Sequence, residues 1–322
     1  MTTIATTTMG TTTRPGDTGL DVVTGAFSYS GAAIADALLD SGRRLRTITG
    51  HPARAAQDSA IEVRPLDFDD QLGLVKSLEG ATTLYNTYWV RFAHNGVDHD
   101  LAVANSRSLF HAAKRAGVQR IVHVSITHPS IDSPMPYFRG KALVERALAE
   151  ADVSYAVLRP GILFGGEGVL LNNIAWLLRH LPVFAVGGRG DYRIRAIHVN
   201  DLARLCVEKG AESHDSVTDA VGPERPTFLK LVRSIADVVG SRARVIRVPP
   251  STVPVLSRLV GLGLHDVLLT RDEFRAMADG LADTDGPATG TTTLSGWLSA
   301  HGADLGRTYA NELERHFRSH GS

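Results

Sequence analysis

The chain has 322 residues, 43% of them hydrophobic, with 34 Lys plus Arg balancing 34 Asp plus Glu. That balance argues against an electrostatic nucleic-acid binder and against a polybasic membrane-surface protein, both of which need a basic excess. The single cysteine, Cys206, excludes an internal disulfide and a cysteine-rich zinc site and is expected in the core.

Residues 1–18 hold nine threonines with Gly10, Pro15 and Gly16 and no apolar period. This composition points to disorder, and a transit peptide would want more arginine than Arg14. LDVVT over 20–24 reads as a buried strand running into Gly25. GAAIADALLD over 31–40 sets Ile34, Leu38 and Leu39 at helical spacing and stops at Gly42. Strands follow at 45–49, 61–66, 83–86, 120–125 and 155–159, alternating with helices at 69–78, 101–116 and 140–150. This alternation predicts an α/β fold, a Rossmann-type doubly wound parallel sheet with helices on both faces.

After about Gly165 the alternation weakens. The glycine-rich stretch 165–190 carries one helix near 172–179. A helix over 201–209 is expected to be capped by Asp201, and a strand lies near 245–248. The predicted organisation is a tail at 1–18, an NAD(P)-binding domain at 19–210 with an excursion at 165–192, and a smaller, mainly helical substrate lobe at 211–322. No stretch reaches the ~20 uninterrupted apolar residues of a membrane span. The most apolar ones, 174–186 and 253–264, are broken by Arg179, His180 and Arg258. The segment 253–264 (VPVLSRLVGLGL) is expected to bury against the main domain, with a lid, a dimer contact and a membrane-touching helix as alternatives. The expectation for the whole is a soluble cytoplasmic monomer or homodimer with a small-molecule substrate.

The first strand enters TGAFSYSG over 24–31 and then a helix, the context in which a glycine turn holds a dinucleotide. Gly25 would allow the tight turn and Gly31 a close helix–strand approach. The helix N-terminus offers unpaired N–H groups to a pyrophosphate. Phe27, Ser28 and Tyr29 lie between the glycines, along the expected cofactor site. Ser28 stands where a third glycine is usual. A plain turn is the alternative. The second strand ends without an acid to hold a ribose 2′-hydroxyl; His51 and Arg54 could face a 2′-phosphate, which leans the cofactor towards NADP over NAD. Asp67, after the third strand, could contact adenine or cap the next helix.

Tyr137 and Lys141 are four apart and would share a helix face. A lysine beside a tyrosine favours the phenolate and brings its pKa towards the working range of a general acid or base. Ser125, twelve residues upstream, closes the fifth strand at the same sheet edge. Trp89, Arg91 and His94 follow the fourth strand and could receive an anionic or ring-shaped substrate, or simply pack a loop. Thirteen histidines place no pair with a carboxylate in a metal-binding motif, so no metal is expected. Gly-x-Ser-x-Gly does not occur, which leaves a serine hydrolase without support.

With these motifs in place the sequence resembles the short-chain dehydrogenase/reductase superfamily over roughly 20–210, in its atypical and extended branch: nucleotide-sugar epimerase-like, NmrA-like and complex I accessory subunit-like proteins. The resemblance is carried by TGAFSYSG, LYNTYWVRF at 84–92, Asn105 in AVANSRSLFHAAKRAGVQRIVHVS, PYFRGKALVE at 136–145, YAVLRPGILFG at 155–165 and RAIHVNDLA at 195–203. It implies an NAD(P)-dependent oxidoreductase or epimerase with Tyr137 as general acid/base. Lys141 would hold the nicotinamide ribose, and Ser125 or Thr127 would polarise a carbonyl or hydroxyl. Asn86 and Thr87 would lie along the cofactor, with Arg159-Pro160-Gly161 near the nicotinamide. His198 and Asp201 fall in a segment that is mostly structural in the family. Ile126, where a second hydroxyl is usual, and Ser28 depart from the pattern. Several relatives bind a nucleotide without turnover, so the alternative is a non-catalytic NAD(P)-binding sensor or complex-stabilising subunit.

Overall fold

The computed structural model describes residues 19–52, 60–91, 96–264, 266 and 269–311. The threonine-rich tail and two candidate residues, Arg54 and His94, lie outside the described residues. The first half alternates β1 (Leu20–Thr24), α1 (Tyr29–Asp40), β2 (Arg44–Thr49), β3 (Glu62–Pro65), α2 (Gln71–Leu78), β4 (Ala81–Asn86), α3 (His99–Arg115), β5 (Arg120–Val124), α4 (Pro136–Ala149) and β6 (Ser154–Pro160). The second half carries β7 (Ile162–Phe164), α5 (Val169–His180), β8 (Val183–Gly187), β9 (Ala196–His198), α6 (Val199–Gly210), β10 (Ser216–Ala220), α7 (Phe228–Val238), β11 (Arg244–Val248), α8 (Val253–Leu264), α9 (Arg271–Ala278) and α10 (Leu294–His301).

Seven strands form one sheet in the order β10-β6-β5-β4-β1-β2-β3, every pair parallel. Parallel neighbours need crossover connections, and those crossovers cover both faces. The central strands are therefore apolar on both sides, with Val22, Val23, Leu84, Ile121 and Val122 fully buried. One face packs on α2, α3 and α4 through Leu74, Leu109, Phe110 and Leu148. The other packs on α1 and α6 through Ile34, Leu38, Leu202 and Cys206. Truncating a side chain as deep as Phe110 to alanine would cost about 3–5 kcal/mol, because the walls of the cavity relax only in part.

The sheet extends past the boundary expected at 211: β10 pairs along β6 from Ser216 with Ala156 to Ala220 with Pro160. Its sequence, SVTDA, is short and half polar, as an edge strand can be. The lobe has its own core, where α5, α7 and α10 meet through Leu171, Ile174, Val232, Ile235 and Leu298. Arg195, buried, ties the loop after α9 to the segment after β10, donating to the carbonyls of Thr284 and Gly286 in the first and of Gly222 in the second.

Two expectations change. Asp201 does not cap α6; His198 does, its Nδ1 accepting from Asn200 N at 3.2 Å. Asp201 instead accepts the amides of Thr291 and Thr292 at 2.8 and 2.7 Å and pairs with Arg204. Helix α8 does not bury itself against the main domain: Leu259 and Leu262 are 62% and 65% exposed.

Candidate functional site

The strand order reverses between β1 and β4, and open α/β sheets bind ligands above such a point, at the carboxyl ends of the strands. Hydroxyls fix this edge. Thr24 Oγ1 accepts the amides of Thr87 and Tyr88 at 2.7 and 3.1 Å, and Thr87 Oγ1 donates to Thr24 O at 2.6 Å. Asn86, fully buried, bonds His123 Nδ1 at 3.1 Å and receives Tyr88 N on its Oδ1. Asn86 and Thr87 thus stand at the crevice and hold its two strands together.

The glycine turn has the shape a pyrophosphate needs. Gly25 takes φ +65°, which favours glycine, and a Cβ on Gly31 would overlap the Gly25 carbonyl oxygen. Ser28 is the N-cap of α1, yet its hydroxyl donates to Gly25 O at 2.7 Å instead of capping the helix. The first-turn amides of Ser30 and Gly31 therefore stay unspent for an anion. Thr47, which sequence reading passed over, fastens the same turn by accepting Ala26 N and donating to Val23 O, both at 3.0 Å. Phe27 is half-buried in the turn. Tyr29 donates to Gly165 O at 2.7 Å, tying α1 to the entry of the lobe. These residues fit a dinucleotide.

The outlying candidates are more dispersed. His51 is exposed past β2, its amide on Thr49 Oγ1. Asp67 is exposed and accepts Asp69 N, while Asp70 caps α2 by accepting Gly73 N. The capping alternative for Asp67 therefore falls away.

Tyr137 and Lys141 share one face of α4, which Pro136 opens at its first position. Lys141 is buried, donates to Val124 O at 2.9 Å and lies 4.7 Å from the centre of the Trp89 ring. Trp89 stacks on His99 and meets Tyr137 edge-on, each at 5.7 Å. A Cβ on Gly140 would strike the Trp89 ring, so this glycine lets the indole lie against α4. Burial drives the Lys141 pKa down to about 7 and pushes the Tyr137 phenol up to about 12. Arg91 pulls the phenol down and Glu273 pushes it up, both more weakly than burial. The lowering expected from Lys141 is not seen, because its ammonium is turned to Val124 O and Trp89.

The two hydroxyls expected to polarise a substrate donate elsewhere. Ser125 Oγ donates to Glu145 Oε1 at 2.5 Å, and Glu145 is clamped by Arg159 through two bonds. Thr127 Oγ1 donates to Leu281 O at 2.7 Å. Arg159 is therefore held on Glu145, while Pro160 is buried at the end of β6 and Gly161 packs on the Arg195 carbonyl. Arg91 pairs with Glu273 at 3.0 Å, and Glu273 also closes the capping box of α9. This pair and the cluster of Tyr137, Phe138, Met135 and Ala276 set α9 over the site. Neither Glu145 nor Glu273 stood out in sequence. The spacing of Thr270 and Glu273 was a readable cap, but nothing signalled its partner 182 positions away. Asn105 serves the site indirectly, donating to the Tyr88 hydroxyl at 2.8 Å.

Fold and crevice together define a dinucleotide-binding domain of Rossmann type, and a family model described as NAD(P)H-binding matches residues 25–174. That match covers just under half of the chain and shows an NAD(P)H-binding domain. The chain is 26% identical over 313 residues to the ceramide reductase of Caulobacter vibrioides, covering 88% of this chain and 96% of that one. It is 25% identical to NADH dehydrogenase [ubiquinone] 1 alpha subcomplex subunit 9, mitochondrial, of Rattus norvegicus, where the match covers 64% of this chain and spans 56% of that protein. Among solved structures, the Citrobacter sp. triphenylmethane reductase complexed with NADP(H) aligns with a TM-score of 0.73 at 18% identity, covering 87% of this chain and 99% of that one. The NADPH-dependent quinone oxidoreductase QOR2 of Escherichia coli aligns at 0.71 with 24% identity, covering 87% and 99%.

Proposed function

We propose that the protein is an NAD(P)H-dependent reductase of an apolar carbonyl compound, with Tyr137 as general acid. The observation that carries this reading is the place of the Tyr137 phenol, on one face of α4 with Lys141, edge-on to Trp89 and walled by Met135 and Phe138, where burial raises its pKa. At neutral pH such a group holds its proton and gives it to a developing alkoxide, the task of reduction; an epimerase needs the phenolate as well. NAD(P)H, when bound, would supply a hydride for a carbonyl carbon, and Tyr137 would give its proton to the carbonyl oxygen. The glycine turn would hold the pyrophosphate, and Asn86, Thr87, Pro160 and Lys141 the nicotinamide half. The absence of an acid after β2, with His51 exposed there and Arg54 nearby in sequence, supports NADPH over NADH. Trp89 and Arg91 would line the substrate side. Apolar walls around Tyr137, from Met135, Phe138, Ala276 and Leu281, support a hydrophobic substrate. So do relatives named for ceramide, a sterol and a hydroxysteroid.

A second reading, dinucleotide binding without turnover, is supported by Ser125 and Thr127, whose protons are committed to Glu145 and Leu281 O. A titration of NADPH and NADH by fluorescence, followed by turnover over long-chain ketones and quinones, separates the two. The reductase reading expects NADPH to bind and be oxidised. Binding with no oxidation across the panel favours the second reading, and no binding refutes both.

A further inference from the structure

The balanced net charge conceals a local imbalance. Between Arg242 and Leu264 there are four arginines, Arg242, Arg244, Arg247 and Arg258, and no acid. All four are exposed, and none forms an ion pair among the described residues. The same stretch carries five of the ten exposed large hydrophobics among the described residues. Val255, Leu256, Leu259 and Leu262 are 40–65% exposed, and Ile246 on β11 is 43% exposed. On α8 these four lie within one arc of the helix with Arg258 at its margin. The opposite side faces the protein, where Val253 is buried and Ser257 Oγ donates to Leu269 O at 3.0 Å. Helix α8 thus presents its apolar face outward, the reverse of a surface helix packed on a core.

We infer that α8 and β11 form a docking surface for an anionic lipid bilayer. An apolar helical face with Arg258 at its margin, in a stretch that holds four arginines and no acid, suits an interfacial helix. The leucines enter the acyl boundary while guanidinium groups meet phosphate. The absence of any acid over 23 residues argues for a lipid surface over a second copy of this chain, since the stretch offers its own four arginines no acidic partner. Helix α8 contacts α9, which lies over Tyr137, so the docked face adjoins the site. Delivery of a membrane-borne substrate to that site rests on the reductase reading, whereas the docking does not.

The test is flotation of the full chain with vesicles of phosphatidylcholine alone and of phosphatidylcholine with phosphatidylglycerol. Binding to the anionic vesicles only is expected, falling about fivefold for each arginine removed in Arg247→Ser and Arg258→Ser. It should be lost in the double variant Leu259→Asp, Leu262→Asp. A Leu259→Trp variant keeps the face apolar and should show a blue-shifted emission with anionic vesicles. Tyr137→Phe should float like the unaltered protein, so that failure of the catalytic reading leaves docking intact. Equal lack of flotation with both vesicles, or an unshifted Leu259→Trp spectrum, would overturn the proposal. So would a stable dimer in light scattering that Leu259→Asp dissociates, which assigns the face to a second copy.

Discussion

Replacing Lys141 by methionine keeps the length of the side chain and removes its charge. The lysine sits 3% exposed, and burial lowers its pKa from 10.5 to about 7. Between those values the unfolded chain carries a proton that the folded chain has released, so stability rises with pH through that window. The cost of the buried charge is fully present below about pH 7 and is relieved as pH climbs towards the unfolded value. At about 1.4 kcal/mol per pH unit for one proton, and half that where the folded lysine is itself titrating, the step from pH 7 to pH 9 is worth about 2 kcal/mol. Urea unfolding at both pH values, for the unaltered protein and for Lys141→Met, measures it. The unaltered protein should gain about 2 kcal/mol more than the variant across the step. Equal gains would show that Lys141 is not desolvated as argued.

Two further changes probe the scaffold of the site. Gly31→Ala drives a methyl group into the Gly25 carbonyl, and should cost about 1–3 kcal/mol of stability and weaken NADPH binding at least about tenfold in a fluorescence titration. Glu145→Gln removes the charge that Arg159 and Ser125 share, and should lower the urea midpoint by the equivalent of about 1.5–3 kcal/mol. A variant as stable as the unaltered protein would show that the clamp is a surface pair of little consequence.

The sheet was legible because its strands are buried on both faces and punctuated by Gly25, Gly42 and Gly117. The Tyr137–Lys141 pair was legible because helical spacing puts residues four apart on one face. What sequence could not give was partner choice across the chain. Ser125 read as a free hydroxyl, but Glu145 captures it from the next helix. Lys141 read as the group that would acidify Tyr137, but Trp89 covers it from the loop after β4. Edge strand β10 escaped because three of its five residues are polar and it lacks an apolar run. Helix α8 misled because a mostly apolar segment reads as buried, while its exposure depends on tertiary packing.

The central claim is that Tyr137 delivers the proton in an NADPH-dependent reduction. Single-turnover oxidation of bound NADPH by a hydrophobic ketone, compared between the unaltered protein and Tyr137→Phe, tests it most directly. The rate should fall by about 10²–10⁴ in the variant, with NADPH affinity unchanged. Oxidation at the same rate in both proteins would contradict it.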